Sequence, residues 1–395
     1  MASPRKLLPI GLFFLILAVP GLNTARPFLR DARLHGVTEA PEPPPVTFAA
    51  FRGGELQSGV EKWFEHRFGF KGAAVKLDNT LTYALFRQTS RDSRVVAGRG
   101  GVLFIEEDVG FYNLPPANHE AQLEEGARRL ANVQALAWAR GKAFVPVIVP
   151  SKTSLFPEAV PPELRRALPE PRPSDTFLHQ SLVRALRRQG VRYVDGRELL
   201  VREQRASGVP MFARGGRHWS QLGACRVLEA LAGELRAQGV RSLDTVDCGA
   251  PGAGLGPSDG DDDLWRLANL WGARTEPYAW SPLPEREAPR LPSPPTALFA
   301  TTSFNFKLIH EAARNQLFSR TYLYYYNATG HRWGDAEGTF PVAPGTPEWR
   351  ERTLSADLYV LDLPEMFLPG FGQGFVEQLQ ALLREGLPTA TSPAP

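Results

Sequence analysis

The stretch EAQLEEGARRLANVQALAWARGKAFVPVIVP, residues 120–150, decides the fold. Its first part is a long amphipathic segment, and its last eight residues are an apolar run without a charge, so it reads as a helix feeding a buried strand. The same rhythm continues downstream. SDTFLHQSLVRALRRQG predicts a helix and VRYVDG a strand, then SQLGACRVLEALAGELRAQG a helix with Val227, Leu228, Leu231 and Leu235 on one apolar face. TALFATTSF follows as a strand ending in a polar turn, NFKLIHEAARNQLF as a helix, TYLYYYN and ADLYVLDLP as strands, and GFVEQLQALLREG as a closing helix. Strands alternating with helices imply a parallel sheet covered on both faces, a three-layer α/β/α domain. In such sheets the loops at the carboxyl ends of the strands converge on one crevice. Here those loops begin near Pro150, Asp195, Thr301 and Asn327.

Upstream, the basic start MASPRK and the apolar run LLPIGLFFLILAVPGL, residues 7–22, form an export signal. Residues 1–25 serve as a signal peptide or as a membrane anchor; the weak cleavage site in NTARPF tips the reading toward the anchor, while the run is short of the roughly 20 apolar residues of a full span. In either case the body of the protein is expected in the periplasm. Residues 26–58, which include EAPEPPPVTF, read as a proline-rich tether, residues 59–92 as a helical segment with Val60, Trp63, Phe64 and Phe68 at helical spacing, and 93–395 as the α/β domain. SRVVAGRGGVLFIEED, at its start, has hairpin chemistry, and CGAPGAGLGPSDGDDDLW, residues 248–265, is an acidic glycine-rich loop.

A net charge of +3 with both signs interspersed gives no basic block, which sets nucleic acid aside. The two cysteines, Cys225 and Cys248, would pair in an oxidising compartment or stand as two buried thiols. Neither a CxxC nor a Cys/His pattern is present, so no metal and no cofactor is expected.

Ser303 stands between a strand end and a helix start, where backbone N–H groups can stabilise an oxyanion, a place for a nucleophile and equally for a helix N-cap. His218, just before the N-cap candidate Ser220, is the natural base for it. Asn327 follows a strand and would donate its amide to an oxyanion or simply shape a turn. Tyr325, Tyr326 and Trp219 offer flat faces to sugar rings, or pack a core.

These residues fall in blocks that resemble the AlgX/AlgJ-type alginate O-acetyltransferase family, which carries an SGNH-hydrolase-like domain. WFEHRFGFK and VVAGRGGVLF resemble its aromatic entry and glycine hairpin, VPSKTSLFPE its P-x-K loop, GGRHWSQLGA its D-x-H-W block and TTSFNF its G-T-S block. The resemblance implies Ser303 as nucleophile, His218 as general base, and Lys152 as a cation for a uronate carboxylate. It also implies a polysaccharide substrate and a membrane-bound O-acyltransferase partner at the inner membrane. Two positions depart from the pattern: Gly216 stands where the orienting aspartate belongs, and Thr301 replaces the glycine before the nucleophile, where it would crowd the turn. Loss of such an aspartate costs about 10⁴ in turnover in a serine protease. Asp195 is the first substitute to consider, and the run Asp259, Asp261, Asp262 and Asp263 the second. The implied activity is acetyl transfer to an exopolysaccharide through a serine acetyl-enzyme. A non-catalytic polysaccharide-binding or scaffold subunit and a carbohydrate esterase are the alternatives.

Overall fold

The computed structural model describes residues 4–26, 28–36, 41–112, 119–165, 174–249, 261–272, 285–334 and 337–385. The chain divides into two compact units, Met1–Ala97 with Asp263–Ala273, and Gly98–Asp262 with Arg274–Pro395.

The first unit holds the helices α1 (Pro4–Ala25), α2 (Phe48–Gly53), α3 (Glu55–Arg67) and α4 (Lys71–Phe86) and the short strand β1 (Val95–Ala97). Helix therefore begins at Phe48, inside the segment expected to be a tether, because Thr47 caps it by accepting from the Ala50 amide. Among the described residues no helix is long and apolar enough to cross a membrane, and α1 contains Pro9 and Pro20. Asp31 receives the Gly72 and Ala73 amides at 2.7 and 3.0 Å and so seats the start of α4.

The second unit begins with β2 (Leu103–Ile105) and α5 (Glu106–Tyr112), followed by α6 (Glu120–Ala139) and β3 (Ala143–Val149). Leu123, Ala127, Leu130, Val133 and Ala137 put one face of α6 in the core, and all seven residues of β3 are buried. Next come α7 (Lys152–Leu155), α8 (Ser174–Arg188), β4 (Val194–Asp195), α9 (Gly196–Ser207) and α10 (Gln221–Ala237). After the return to the first unit for α11 (Asp263–Leu267), the chain forms β5 (Thr296–Thr301), α12 (Asn305–Arg314), β6 (Arg320–Tyr325), β7 (Thr329–Trp333) and β8 (Gly338–Pro341). It closes with α13 (Pro347–Ser355), β9 (Leu358–Pro364) and α14 (Phe375–Arg384).

Seven strands form one sheet in the order β4-β3-β9-β5-β6-β7-β8. The first five are parallel, as the alternation predicts. β7 and β8 are antiparallel additions at one edge that the alternation did not reveal. Helices α6, α8 and α14 pack together over one face, and α9, α10 and α12 over the other, which completes the three layers. Thr301 of β5 pairs with Tyr325 of β6, so both strands end at one level and their following turns meet. Cys225 of α10 is disulfide-bonded to Cys248, which settles the choice left open by the sequence.

Candidate active site

Ser303 lies in the turn between β5 and α12, two residues before the helix begins. The turn is held from below by Asp362 at the carboxyl end of β9. Its Oδ2 accepts the Thr302 amide and the hydroxyls of Thr301 and Thr302, each at 2.7 Å. Thr301, expected to crowd the turn, instead directs its hydroxyl inward to this carboxylate, and the Thr301 hydroxyl oxygen accepts from the Asn305 side-chain amide at 2.8 Å. The replacement of glycine is therefore absorbed by a buried acceptor.

His218 arrives from the loop before α10. Ser220 caps that helix by accepting from the Gly223 amide, and its own amide donates to the Met211 carbonyl at 2.8 Å, so the loop closes on itself. The His218 Nε2 lies 2.8 Å from the Ser303 Oγ. Phe304, next to the serine, packs edge-on against the imidazole with centroids 4.8 Å apart, which fixes the plane of the ring. Tyr326 completes the group: its hydroxyl lies near Ser303, and its pKa is raised by partial burial and by Tyr325 beside it. It is held there by a left-handed backbone turn, φ +48°, whose amide donates to the Thr301 carbonyl. A phenol that stays protonated near the nucleophile can donate to charge developing there.

Several expected site residues are placed elsewhere. Asp195 does not reach His218: its carboxylate pairs with His179 Nε2 at 2.9 Å and caps α9 through the Glu198 amide. Burial acts to raise its pKa, but the hydrogen bond and charge of His179 prevail and hold the carboxyl below its usual range. Lys152 does not await a uronate. It is fully buried and donates to the Arg214 and Gly216 carbonyls at 2.8 and 2.5 Å, clamping the turn that leads into His218. Trp219 is fully buried too, edge-on to Phe304, and offers no face to a sugar. Asn327 spends its amide on the Gln373 carbonyl and the Gln378 side chain, so it is not aimed at an oxyanion. Tyr325 and Tyr326 are the two aromatic candidates that remain partly open beside the serine.

The space at Gly216, where the resemblance places an aspartate, is filled. A Cβ at Gly216 would lie 2.8 Å from the Asp261 carbonyl oxygen and 3.0 Å from its carbonyl carbon. The acidic segment has thus moved its main chain into the position a side chain at 216 would need. Asp261 is buried, and its carboxylate pairs at 2.5 Å with Lys307, which also donates to the Trp219 carbonyl at 3.0 Å. Lys307 lies one turn along α12 from Ser303, so it ties the nucleophile's helix to the histidine loop. Asp259, also named among the acidic candidates, falls outside the described residues.

The family described as SGNH hydrolase-like domain, acetyltransferase AlgX, matches residues 95–305, more than half of the chain. The chain belongs to this family. The matched span carries both the His218 and the Ser303 blocks, and the α/β sheet above is the SGNH-like fold. The probable alginate O-acetylase AlgJ of Pseudomonas aeruginosa is 30% identical over 185 residues, 46% of this chain and 43% of that relative, so the AlgX-family chain spans less than half of its length. Among solved structures, the O-acetyltransferase domain of Pseudomonas putida AlgJ is 21% identical with a TM-score of 0.44, over 73% of this chain and 98% of that one. Pseudomonas aeruginosa AlgX is 14% identical with a TM-score of 0.42, over 80% and 70% of the two chains.

Three groups of this candidate site escaped the sequence reading: Asp362, Lys307 and the hydroxyl of Tyr326. For Asp362 a signal existed, a single acid inside the otherwise apolar strand ADLYVLDLP. Burial pushes its pKa up to about 6, against the pull of its three donors. Its folded pKa exceeds the unfolded value of about 3.9, so the folded state holds the proton more tightly, and this acid's contribution to stability falls as pH rises from about 4 to about 6. Asp362→Asn, which keeps an acceptor for the threonine turn, is expected to remove that fall. Thermal unfolding across pH 4–8 should show the variant gaining on the parent by about 1–3 kcal/mol with rising pH; parallel curves would contradict it.

Proposed function

We propose that this chain is an extracytoplasmic O-acetyltransferase that carries acetyl on Ser303 and passes it to hydroxyls of an exopolysaccharide, alginate first among them. The observation that carries the reading is the 2.8 Å contact between His218 Nε2 and Ser303 Oγ, within reach for proton transfer. His218 takes the serine proton as Oγ attacks the acyl carbon of a donor ester, and returns it to the donor's departing oxygen. In the second half a sugar hydroxyl gives its proton to His218 and attacks the acetyl-serine, and Ser303 leaves with that proton. Tyr326 is suited to donate to the oxyanion in both halves. In this reading a membrane-bound O-acyltransferase supplies the acetyl group, and residues 7–22 keep the protein in the periplasm at the inner membrane.

A second reading, a non-catalytic scaffold or binding subunit, draws on Gly216, where the family's carboxylate is absent. One experiment separates them. After brief exposure to 4-nitrophenyl acetate, the peptide containing Ser303 should carry one acetyl group by mass spectrometry, and alginate oligosaccharides should discharge it faster than water does. Discharge by water alone, unchanged by oligosaccharide, would indicate an esterase. No acetyl on Ser303 would leave the scaffold reading.

A further inference from the structure

The two antiparallel strands at the sheet edge bring a row of aromatic rings up to the nucleophile. In β7, His331 pairs with Leu323 and Trp333 with Thr321 of β6, so their side chains fall on the same face as Tyr325. That face meets Phe306 of α12, three residues beyond Ser303. The contacts form a continuous series. Tyr326 touches Tyr325 with centroids 4.6 Å apart, Tyr325 touches Phe306 at 5.4 Å, Phe306 touches His331 at 5.5 Å, and His331 stacks on Trp333 at 5.9 Å with planes 24° apart.

All five rings are half-buried, in contrast to Trp219 and Tyr324, which are sealed in the core. Contiguous aromatic surface that stays open to water marks a binding site more often than a packing fault. The row has polar tips on four of its five members, which suits a ligand that is itself amphipathic. It starts at the phenol that lies near Ser303, with the Arg217 guanidinium near enough to act on Tyr326 electrostatically.

We propose that this row is the acceptor platform, on which consecutive pyranose rings of a polysaccharide stack so that one sugar hydroxyl reaches the acyl group on Ser303. The inference rests on the acetyl-transfer reading for its purpose, but not for its measurement. A hexopyranose has one apolar face of C–H groups and a polar rim. Rings with centroids 4.6 to 5.9 Å apart, presented by the end of β6, by α12 and by β7, match a linear chain of them, whereas a peptide or lipid ligand would not call for the aromatic, hydroxyl-tipped series or for its origin beside a nucleophile. Arg217, at the catalytic end, acts on the buried Asp108 as well as on Tyr326, and the test asks whether its charge also reaches an acidic sugar.

The test is direct binding, in full-length protein bearing Ser303→Ala so that no turnover intervenes. Isothermal titration with alginate oligosaccharides and with a neutral dextran should show saturable binding of at least one. Trp333→Ala should weaken it about tenfold, and Trp333→Phe should restore most of it. His331→Ala, on the same strand, serves as the second variant if Trp333→Ala does not fold. Preference for alginate would assign Arg217 the carboxylate; equal binding would assign the ring faces alone. Absence of binding to either polymer, or parent-like affinity in folded Trp333→Ala or His331→Ala, would overturn the platform. The acetyl-serine experiment is independent of these outcomes: acetylation without polysaccharide binding removes only the platform, and binding without acetylation removes only the transferase.

Discussion

Ser303→Ala is expected to lower acetate release from an activated acetyl ester by about 10³-fold or more, equivalent to at least about 4 kcal/mol of barrier. Oγ is both the atom that attacks and the hydrogen-bond partner of His218. Without it, the imidazole has nothing to deprotonate at that place, and any remaining turnover comes from water positioned by the same donors. His218→Ala should cost a similar factor, since the serine hydroxyl is a poor nucleophile without a base. The two changes act on one unit, so the double variant should be no slower than either single one within a few-fold. Initial rates with a small ester, which needs no acceptor site, would measure all three. Multiplying losses would mean that serine and histidine work apart, and the proposed couple would have to be given up.

Gly216→Asp, which installs the aspartate that the family resemblance places here, is expected to harm the protein. The new Cβ would stand 2.8 Å from one backbone oxygen and 3.0 Å from one backbone carbon of Asp261. Neither atom can swing aside as a side-chain end would. Overpacking of this kind costs about 1–3 kcal/mol, and the added carboxylate would lie close to the one that pairs with Lys307. Stability should fall by about 3 kcal/mol, the melting temperature by several degrees, and ester turnover should not rise. Gly216→Ala separates the causes: it carries the same Cβ without the charge and should retain most of the loss. A stable Gly216→Asp protein with faster turnover would show that the 261 segment yields easily and that the aspartate is merely missing.

The parallel core was legible in the sequence because its strands are buried on both faces and read as apolar runs, while α6 and α10 repeat their apolar residues at helical spacing. β7 and β8 were not, because THE edge hairpin is short, partly exposed and carries Gly330, His331 and Arg332 where a strand signal would need apolar alternation. Ser303 and His218 were found from their places at a strand end and before a helix, and the structure sets them 2.8 Å apart. Lys152 and Trp219 were misplaced for one reason. A loop residue is ordinarily exposed, and nothing local shows that this loop folds back under the Arg214 and Gly216 carbonyls. Asp195 looked available for want of its true partner: His179 lies in another helix, and pairing across elements is set by packing that a single sequence does not spell out.

The grip of Lys307 on both Asp261 and the Trp219 carbonyl bears on how this site can change over generations. Position 216 must stay small while the 261 main chain fills its space, the 261 segment must stay put while Lys307 holds it, and Lys307 rides on the helix of the nucleophile. The three positions are therefore coupled: a side chain at 216 and this arrangement exclude each other, and a change at any one of them is expected to disturb the other two.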